Sequence, residues 1–98
     1  MVIQKTKCGS ALTLALEGRL ETTTAPELEA VLKEELEGLT TLIFDFSKLE
    51  YISSAGLRVL LAAQKAMSKQ GSMKVVNVND IITEIFEITG FSEILTIE

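Results

Sequence analysis

The sequence predicts an α/β fold: a mixed sheet in the order β-β-α-β-α-β-α-β, opened by an antiparallel N-terminal hairpin, with helices packed against it. Three observations lead there. Hydrophobic spacing switches repeatedly along the chain between a period of two and a period near 3.6. The 98 residues are 47% hydrophobic and 23% charged, the balance of an ordinary globular protein. No Gly/Ser/Pro-rich linker, repeat or low-complexity tract divides them, so residues 1–98 read as a single domain. A chain of this size buries about 60 to 65% of the surface it would expose unfolded, so its core takes nearly every Leu, Ile, Val and Phe.

Val2 to Lys7 reads as a weak strand that its lysines keep from pairing at a sheet edge. Cys8-Gly9-Ser10 is a tight turn into Ala11 to Glu17, where Leu12, Leu14 and Leu16 alternate with smaller residues and give one buried face. At Thr24 the period changes. Thr24 and Glu27 match a capping box, Pro26 sits in the first turn, and Leu28, Val31, Leu32 and Leu36 follow helical spacing until Gly38. Glu27, Glu29, Glu34, Glu35 and Glu37 form the solvated side.

Thr41 to Phe46 is β-branched, aromatic and apolar on both faces, the pattern of a central strand covered by helices on each side. A loop from Ser47 leads to Ser53-Ser54-Ala55-Gly56, and Leu57 to Gln70 is a largely buried helix ended by Gly71. Met73 to Val78 is the fourth strand. Asp80 caps a helix with Ile81, Ile82, Ile85 and Phe86 inside, Gly90 stops it, and Ile94 to Ile97 forms a last short strand.

Composition narrows the function. The absence of histidine removes Ser-His-Asp and Cys-His couples, His-liganded zinc and phosphohistidine relays. The single Cys8, read as partly buried beside the turn, allows no internal disulfide and suits a reducing cytoplasm. A net charge of −5 has the wrong sign for a nucleic-acid partner. Apolar runs such as Val59 to Ala63 fall far short of a membrane span, and Met1 to Ser10 lacks a signal-peptide layout, so a cytoplasmic protein is expected. No phosphate-binding glycine loop, CxxC, HExxH or GxSxG is present, and no cofactor is implied; Glu21 and Asp45 are the carboxylates that could approach each other, without a pocket to serve. The chain is not expected to be an enzyme.

The loops leaving the carboxyl ends of the parallel strands gather along one edge, where partners meet such folds. Here they are Arg19 to Thr24, Ser47 to Ala55 and Asn77 to Asp80. Within them Ser53-Ser54-Ala55-Gly56 stands at the start of a buried helix. Serine there is a good N-cap and Gly56 permits close packing. A phosphoryl group there would also sit on the positive end of the helix dipole and add about −1.5 to −2 charge to an exposed edge.

At these residues the chain resembles the single-domain anti-anti-sigma factors (anti-sigma factor antagonists) of the STAS domain family. The resemblance runs through EGRLETTTAPEL from Glu17, LIFDFSKLEYISSAGLRVLL from Leu42, and Gly90-Phe91. The family motif is a strand ending in Asp, a Ser, then Asp-Ser-Ser/Thr-Gly-Leu at the helix start. Asp45 matches the strand acid, Ser53 the motif Asp, Ser54 the phosphorylated serine, Ala55 the second hydroxyl, and Gly56 and Leu57 themselves. Ser53 in place of the acid removes a like charge beside the phosphate and leaves Ser53 as a second candidate acceptor. The resemblance implies partner switching. The unphosphorylated protein binds an anti-sigma factor that is also a serine kinase of the histidine-kinase-like ATPase fold, frees the sigma factor, and is inactivated by phosphorylation; a PP2C-type phosphatase resets it. Partner contacts are expected at Glu21, Thr22, Thr23, Thr24, Ser53, Ser54, Gly56 and Arg58, with Asn77 and Asn79 at the margin. The alternative keeps the fold without the switch, as a scaffold subunit of a stressosome-like or lipid-transport assembly.

Overall fold

A computed structural model describes residues 1–98. Its four-stranded sheet has the order β1-β2-β3-β4, with β1 (Val2–Cys8) antiparallel to β2 (Ala11–Leu20), and β3 (Thr41–Ile52) and β4 (Ser72–Val76) continuing parallel to β2. Between the strands run α1 (Ala25–Glu35) and α2 (Ser54–Ser68); α3 (Asp80–Thr89) and a single turn, α4 (Phe91–Ile94), follow β4.

The strands bury one face. Leu12, Leu14, Leu16, Leu42, Phe44, Phe46, Met73 and Val75 form one core with Leu28 and Leu32 of α1, Leu57, Leu60 and Met67 of α2, and Ile82 and Phe86 of α3. On the other face Thr13, Ala15, Thr41, Ile43, Asp45 and Val76 are only half buried. Helices on both sides of β3, as expected from its apolar run, are therefore not found: Ile43 lies on an open sheet face, which an antiparallel or mixed sheet tolerates. Edge strand β1 is exposed along most of its length, and Cys8, expected to be partly buried, is exposed. Its Lys5 and Lys7 reach Glu35 of α1 at 4.0 and 3.7 Å, so one carboxylate of the expected solvated face is tied to the sheet.

β3 runs six residues beyond Phe46, where a loop was expected. Opposite β2 its register slips twice, Ala15↔Asp45 giving way to Glu17↔Lys48 and Gly18↔Leu49 to Arg19↔Tyr51, so β3 carries one extra residue at each place. These are β-bulges. They stretch the buried spacing from two residues to three, so that Phe46, Leu49 and Ile52 all face the core. β4 stops at the first bulge, Asp45↔Val76 being its last pair. Asn77 then turns in the left-handed region at φ 59, ending the strand before the expected Val78.

The helix ends depart in detail. Asn79, not Asp80, caps α3: its Oδ1 accepts from the Ile82 N–H at 2.8 Å. Its amide also donates to the Leu49 carbonyl at 3.0 Å, which lies beyond the reach of β4. Ile81, expected inside, faces solvent. Gly90 ends α3 at φ 81, a conformation a side chain would resist. The expected last strand, Ile94 to Ile97, is instead the end of α4 and a single parallel bridge, Val75↔Ile97, because Phe91 to Ile94 close a helical turn directly after Gly90.

Candidate functional site

The carboxyl ends of β2 and β3 meet at one point. Leu20 pairs with Ile52, and the Leu20 carbonyl accepts from the Ser53 N–H at 2.9 Å, so the chain leaving β2 and the chain entering α2 start side by side. Thr24 ties the Glu21–Thr24 turn together. Its hydroxyl donates to the Arg19 carbonyl at 2.7 Å and accepts from the Glu21 N–H at 2.9 Å. The expected capping box is therefore absent: Thr24 already has helical backbone angles (φ −106, ψ −21), and its hydroxyl serves the turn behind it. Thr22 and Thr23 are exposed. Glu21 is held by Arg19, Nε to Oε2 at 2.7 Å, and the Arg19 guanidinium lies 4.7 Å from the centre of the Tyr51 ring. Sequence reasoning missed Arg19 and Tyr51 as supports of this turn; the signal was the opposite charges of Arg19 and Glu21 two residues apart at the end of β2.

Ser53 is the N-cap of α2 in extended conformation (φ −101, ψ 177), yet its side chain caps nothing. Its hydroxyl oxygen is buried without a hydrogen-bond partner. Ser54, the first residue of the helix, is exposed. The first intrahelical bond runs from the Leu57 N–H to the Ser53 carbonyl at 2.9 Å, which leaves the N–H groups of Ser54, Ala55 and Gly56 without an intrahelical acceptor. An exposed hydroxyl therefore stands at the positive end of a 15-residue helix whose first donors are unspent. Gly56 is buried against the strand ends, where a Cβ would lie 2.7 Å from Leu20 Cγ and 2.8 Å from Ile52 Cγ1.

Between α1 and α2 runs a groove of about 450 Å³, bordered by Thr22, Pro26, Glu29, Lys33, Ala55 and Arg58 and floored by apolar side chains. Arg58 is exposed and makes no ion pair. Of the expected contact residues, Thr22 and Arg58 border this groove together with Ala55, and Glu21, Thr24, Ser53, Ser54 and Gly56 adjoin them along the chain. Asn77 and Asn79 are not part of this group. The Asn77 amide donates to Asp45 Oδ1 at 3.0 Å, and Asn79 joins β3 to α3.

Glu21 and Asp45 do not approach each other. Asp45 pairs with Ala15, six residues before Glu21, which is roughly 20 Å along a strand. No group of three or more His, Cys, Asp or Glu is placed to hold a metal, and no helix is long and apolar enough to cross a membrane. The hydrogen bond from Asn77, reinforced by the Ser47 N–H at 3.0 Å, holds the Asp45 carboxyl below the usual aspartate range. A depressed folded-state pKa stabilises the fold above the unfolded value near 3.9, and that contribution is lost as pH falls through the folded value. Asp45→Asn is accordingly expected to cost about 0.5 to 1 kcal/mol at pH 7, with the gap from wild type closing below about pH 4, in urea denaturation at each pH.

The STAS domain family model matches residues 2–98. The Bordetella bronchiseptica protein BtrV is 34% identical over 99 residues, covering 99% of this chain and 85% of that protein. The anti-sigma-B factor antagonist of Listeria monocytogenes is 31% identical over 84 residues, covering 83% of this chain and 73% of its own. Among solved structures, the anti-sigma factor antagonist SpoIIAA in its unphosphorylated form superposes with a TM-score of 0.78 at 17% identity, covering 99% of this chain and 87% of that one. Its phosphorylated form, described as the Bacillus cell fate determinant, gives 0.77, covering 99% and 91%.

Proposed function

The chain belongs to the STAS domain family, and from that premise we propose that it is an anti-sigma factor antagonist, a regulatory binding protein and not an enzyme, switched by phosphorylation of Ser54. The observation that carries the reading is the exposed Ser54 hydroxyl at the uncapped start of α2, beside the Glu21–Thr24 turn and the Arg58 end of the groove. Of the two candidate acceptors Ser54 is favoured over Ser53, whose oxygen is buried. The unphosphorylated protein binds an anti-sigma factor through Glu21, Thr22, Thr23, Thr24, Ser54 and Arg58, and so releases the sigma factor. Ser53 and Gly56 set the position of the helix start, and Asn77 and Asn79 brace the strands behind it. The anti-sigma factor is a serine kinase of the histidine-kinase-like ATPase fold that brings ATP and Mg²⁺, and a PP2C-type phosphatase reverses the modification, all in the cytoplasm.

A phosphate on Ser54 would rest against the unspent N–H groups of Ser54, Ala55 and Gly56, so α2 would persist while the contact surface gains negative charge. An unmatched charge in the interface costs a few kcal/mol, which suffices to release a partner. The test incubates wild type, Ser54→Ala and Ser53→Ala with an anti-sigma factor kinase and ATP, followed by intact mass. Wild type and Ser53→Ala are expected to gain one phosphate and Ser54→Ala none. Ser54→Asp is expected to weaken anti-sigma factor binding about thirtyfold, near 2 kcal/mol, in titration calorimetry. An active kinase that leaves wild type unmodified would sink the switch, and binding indifferent to Ser54→Asp would select the scaffold alternative.

A further inference from the structure

Only four large hydrophobic side chains are prominently exposed, and three of them lie on α3 and α4: Ile81 at 60%, Ile88 at 77% and Ile94 at 46%. Ile81 and Ile88 are two helical turns apart and share one face of α3, with Ile85, half buried, between them. An exposed apolar stripe of this kind marks a contact surface more often than an accident.

Charge is placed as unevenly. Residues 1–79 hold all nine Lys and Arg and nine of the fourteen Asp and Glu, and are formally neutral; the net −5 lies wholly in residues 80–98, as Asp80, Glu84, Glu87, Glu93 and Glu98 with no cation. Glu98 pairs with Lys74 at 3.0 Å, while the four carboxylates of α3 and α4 are exposed and make no ion pair. The acidic helix α1 provides the contrast. It exposes no large hydrophobic residue, and Lys5, Lys7 and Lys33 lie against its Glu35 and Glu29.

That combination selects the occupant. A second copy would bring the same four carboxylates against these with nothing to neutralise them, and an anionic lipid surface would be repelled. A surface that covers Ile81 and Ile88 and places Lys or Arg along the one side of that stripe where Asp80, Glu84 and Glu87 lie meets both needs. We propose that the outer face of α3, continued into α4, docks a cationic amphipathic helix of a protein partner. The partner's apolar stripe packs on Ile81 and Ile88, and its flanking Lys and Arg meet Asp80, Glu84 and Glu87. With ten residues, α3 is about 15 Å long and matches three turns of such a helix. The surface does not use Ser54, so docking is independent of the phosphorylation switch.

The test titrates the isotope-labelled full-length protein, at physiological salt, with a synthetic peptide of Leu and Lys whose leucines recur at i, i+3, i+4 and i+7. A peptide of equal composition with scattered leucines is the control. Amide shifts are expected only in residues 80–95. The affinity is expected to fall at least tenfold in Ile81→Ser/Ile88→Ser and in Glu84→Gln/Glu87→Gln, and to be unchanged in Ser54→Asp; both replaced isoleucines face solvent, and a thermal melt checks that the variants fold. Equal binding of the scattered peptide, shifts spread equally over α1, or indifference to the isoleucine changes would overturn the proposal. So would a dimer in sedimentation that Ile88→Ser abolishes, or binding to phosphatidylglycerol vesicles. None of these outcomes depends on whether a kinase modifies Ser54.

Discussion

Gly71→Ala is expected to cost the fold about 3 kcal/mol or more and to lower the melting temperature by roughly 15 °C. Gly71 is exposed, so burial is not the cause. A Cβ at this position would land on the carbonyl oxygen of Thr40, with the Thr40 carbonyl carbon and Cα at 2.6 and 2.8 Å. Those are backbone atoms, and they cannot retreat. The Thr40 carbonyl accepts from the Ser72 N–H at 3.0 Å, and the Thr40 N–H donates to the Ser10 carbonyl at 2.9 Å. Thr40 therefore fixes the entry of β3 between the starts of β2 and β4, where Ala11↔Thr41 and Thr41↔Ser72 are the first pairs. Relieving the clash would disturb both ladders at their origin. Gly9→Ala is the control: its Cβ would meet nothing within 4 Å, but φ is +61, so only the left-handed backbone is penalised, by about 1 kcal/mol. Urea denaturation of the two variants should separate them clearly; near-equal losses would show that the Thr40 contact is not what makes glycine necessary at residue 71.

The fold was legible wherever one residue pattern carried one message. The alternating leucines of β2 and the helical spacing of α1 each specify a buried face, and each stands as expected; α2, expected to be largely buried, instead exposes Arg58, Ala62, Lys65 and Ser68 and buries one side through Leu57, Leu60, Ala63 and Met67. The second half of β3 was not legible. Its two bulges change the buried spacing to three, and Ser47, Lys48 and Glu50 then look like a loop to any search for a period of two. The last strand failed for the opposite reason. Ile94, Leu95 and Ile97 are β-forming residues, but Gly90 lets a new helical turn begin at Phe91, and the remaining chain reaches β4 through one bridge. At the candidate site the sequence placed the hydroxyls and Arg58 along one edge. It could not tell Ser53 from Ser54: adjacent serines differ only in which one the extended N-cap turns inward. Nor could it separate Asn77 and Asn79 from the partner edge, because their role depends on β4 ending early and leaving the Leu49 carbonyl to a side chain.

Gly56→Ala should carry the second large effect, and two opposing contributions decide its size. Alanine is the better helix former by up to about 1 kcal/mol, and less than that in the first turn, where Gly56 stands. Against this, the new Cβ would lie 2.7 Å from Leu20 Cγ and 2.8 Å from Ile52 Cγ1. Leu20 Cγ carries both methyls of its side chain and Ile52 Cγ1 is bonded directly to the branching Cβ; the two side chains are 0% and 1% exposed, so neither has free space to swing into. Overpacking of this kind costs about 1 to 3 kcal/mol, and a net loss near 2 kcal/mol is expected. The consequence reaches the site, because Leu20 precedes the Glu21–Thr24 turn and receives the Ser53 N–H, while Ile52 precedes Ser53 itself. Whether α2 lifts or the strand ends part, Ser54 leaves its place beside Thr22 and Arg58, and partner binding should weaken along with stability. A double-mutant cycle separates this cause from a general loss of folding. Leu20→Ala alone removes a fully buried side chain at a cost of about 2 to 4 kcal/mol, but in the Gly56→Ala background the emptied space receives the new methyl, and the same change should cost at least about 1 kcal/mol less. Strict additivity of the two substitutions would show that the contact between Gly56 and Leu20 does not govern how α2 seats on the sheet.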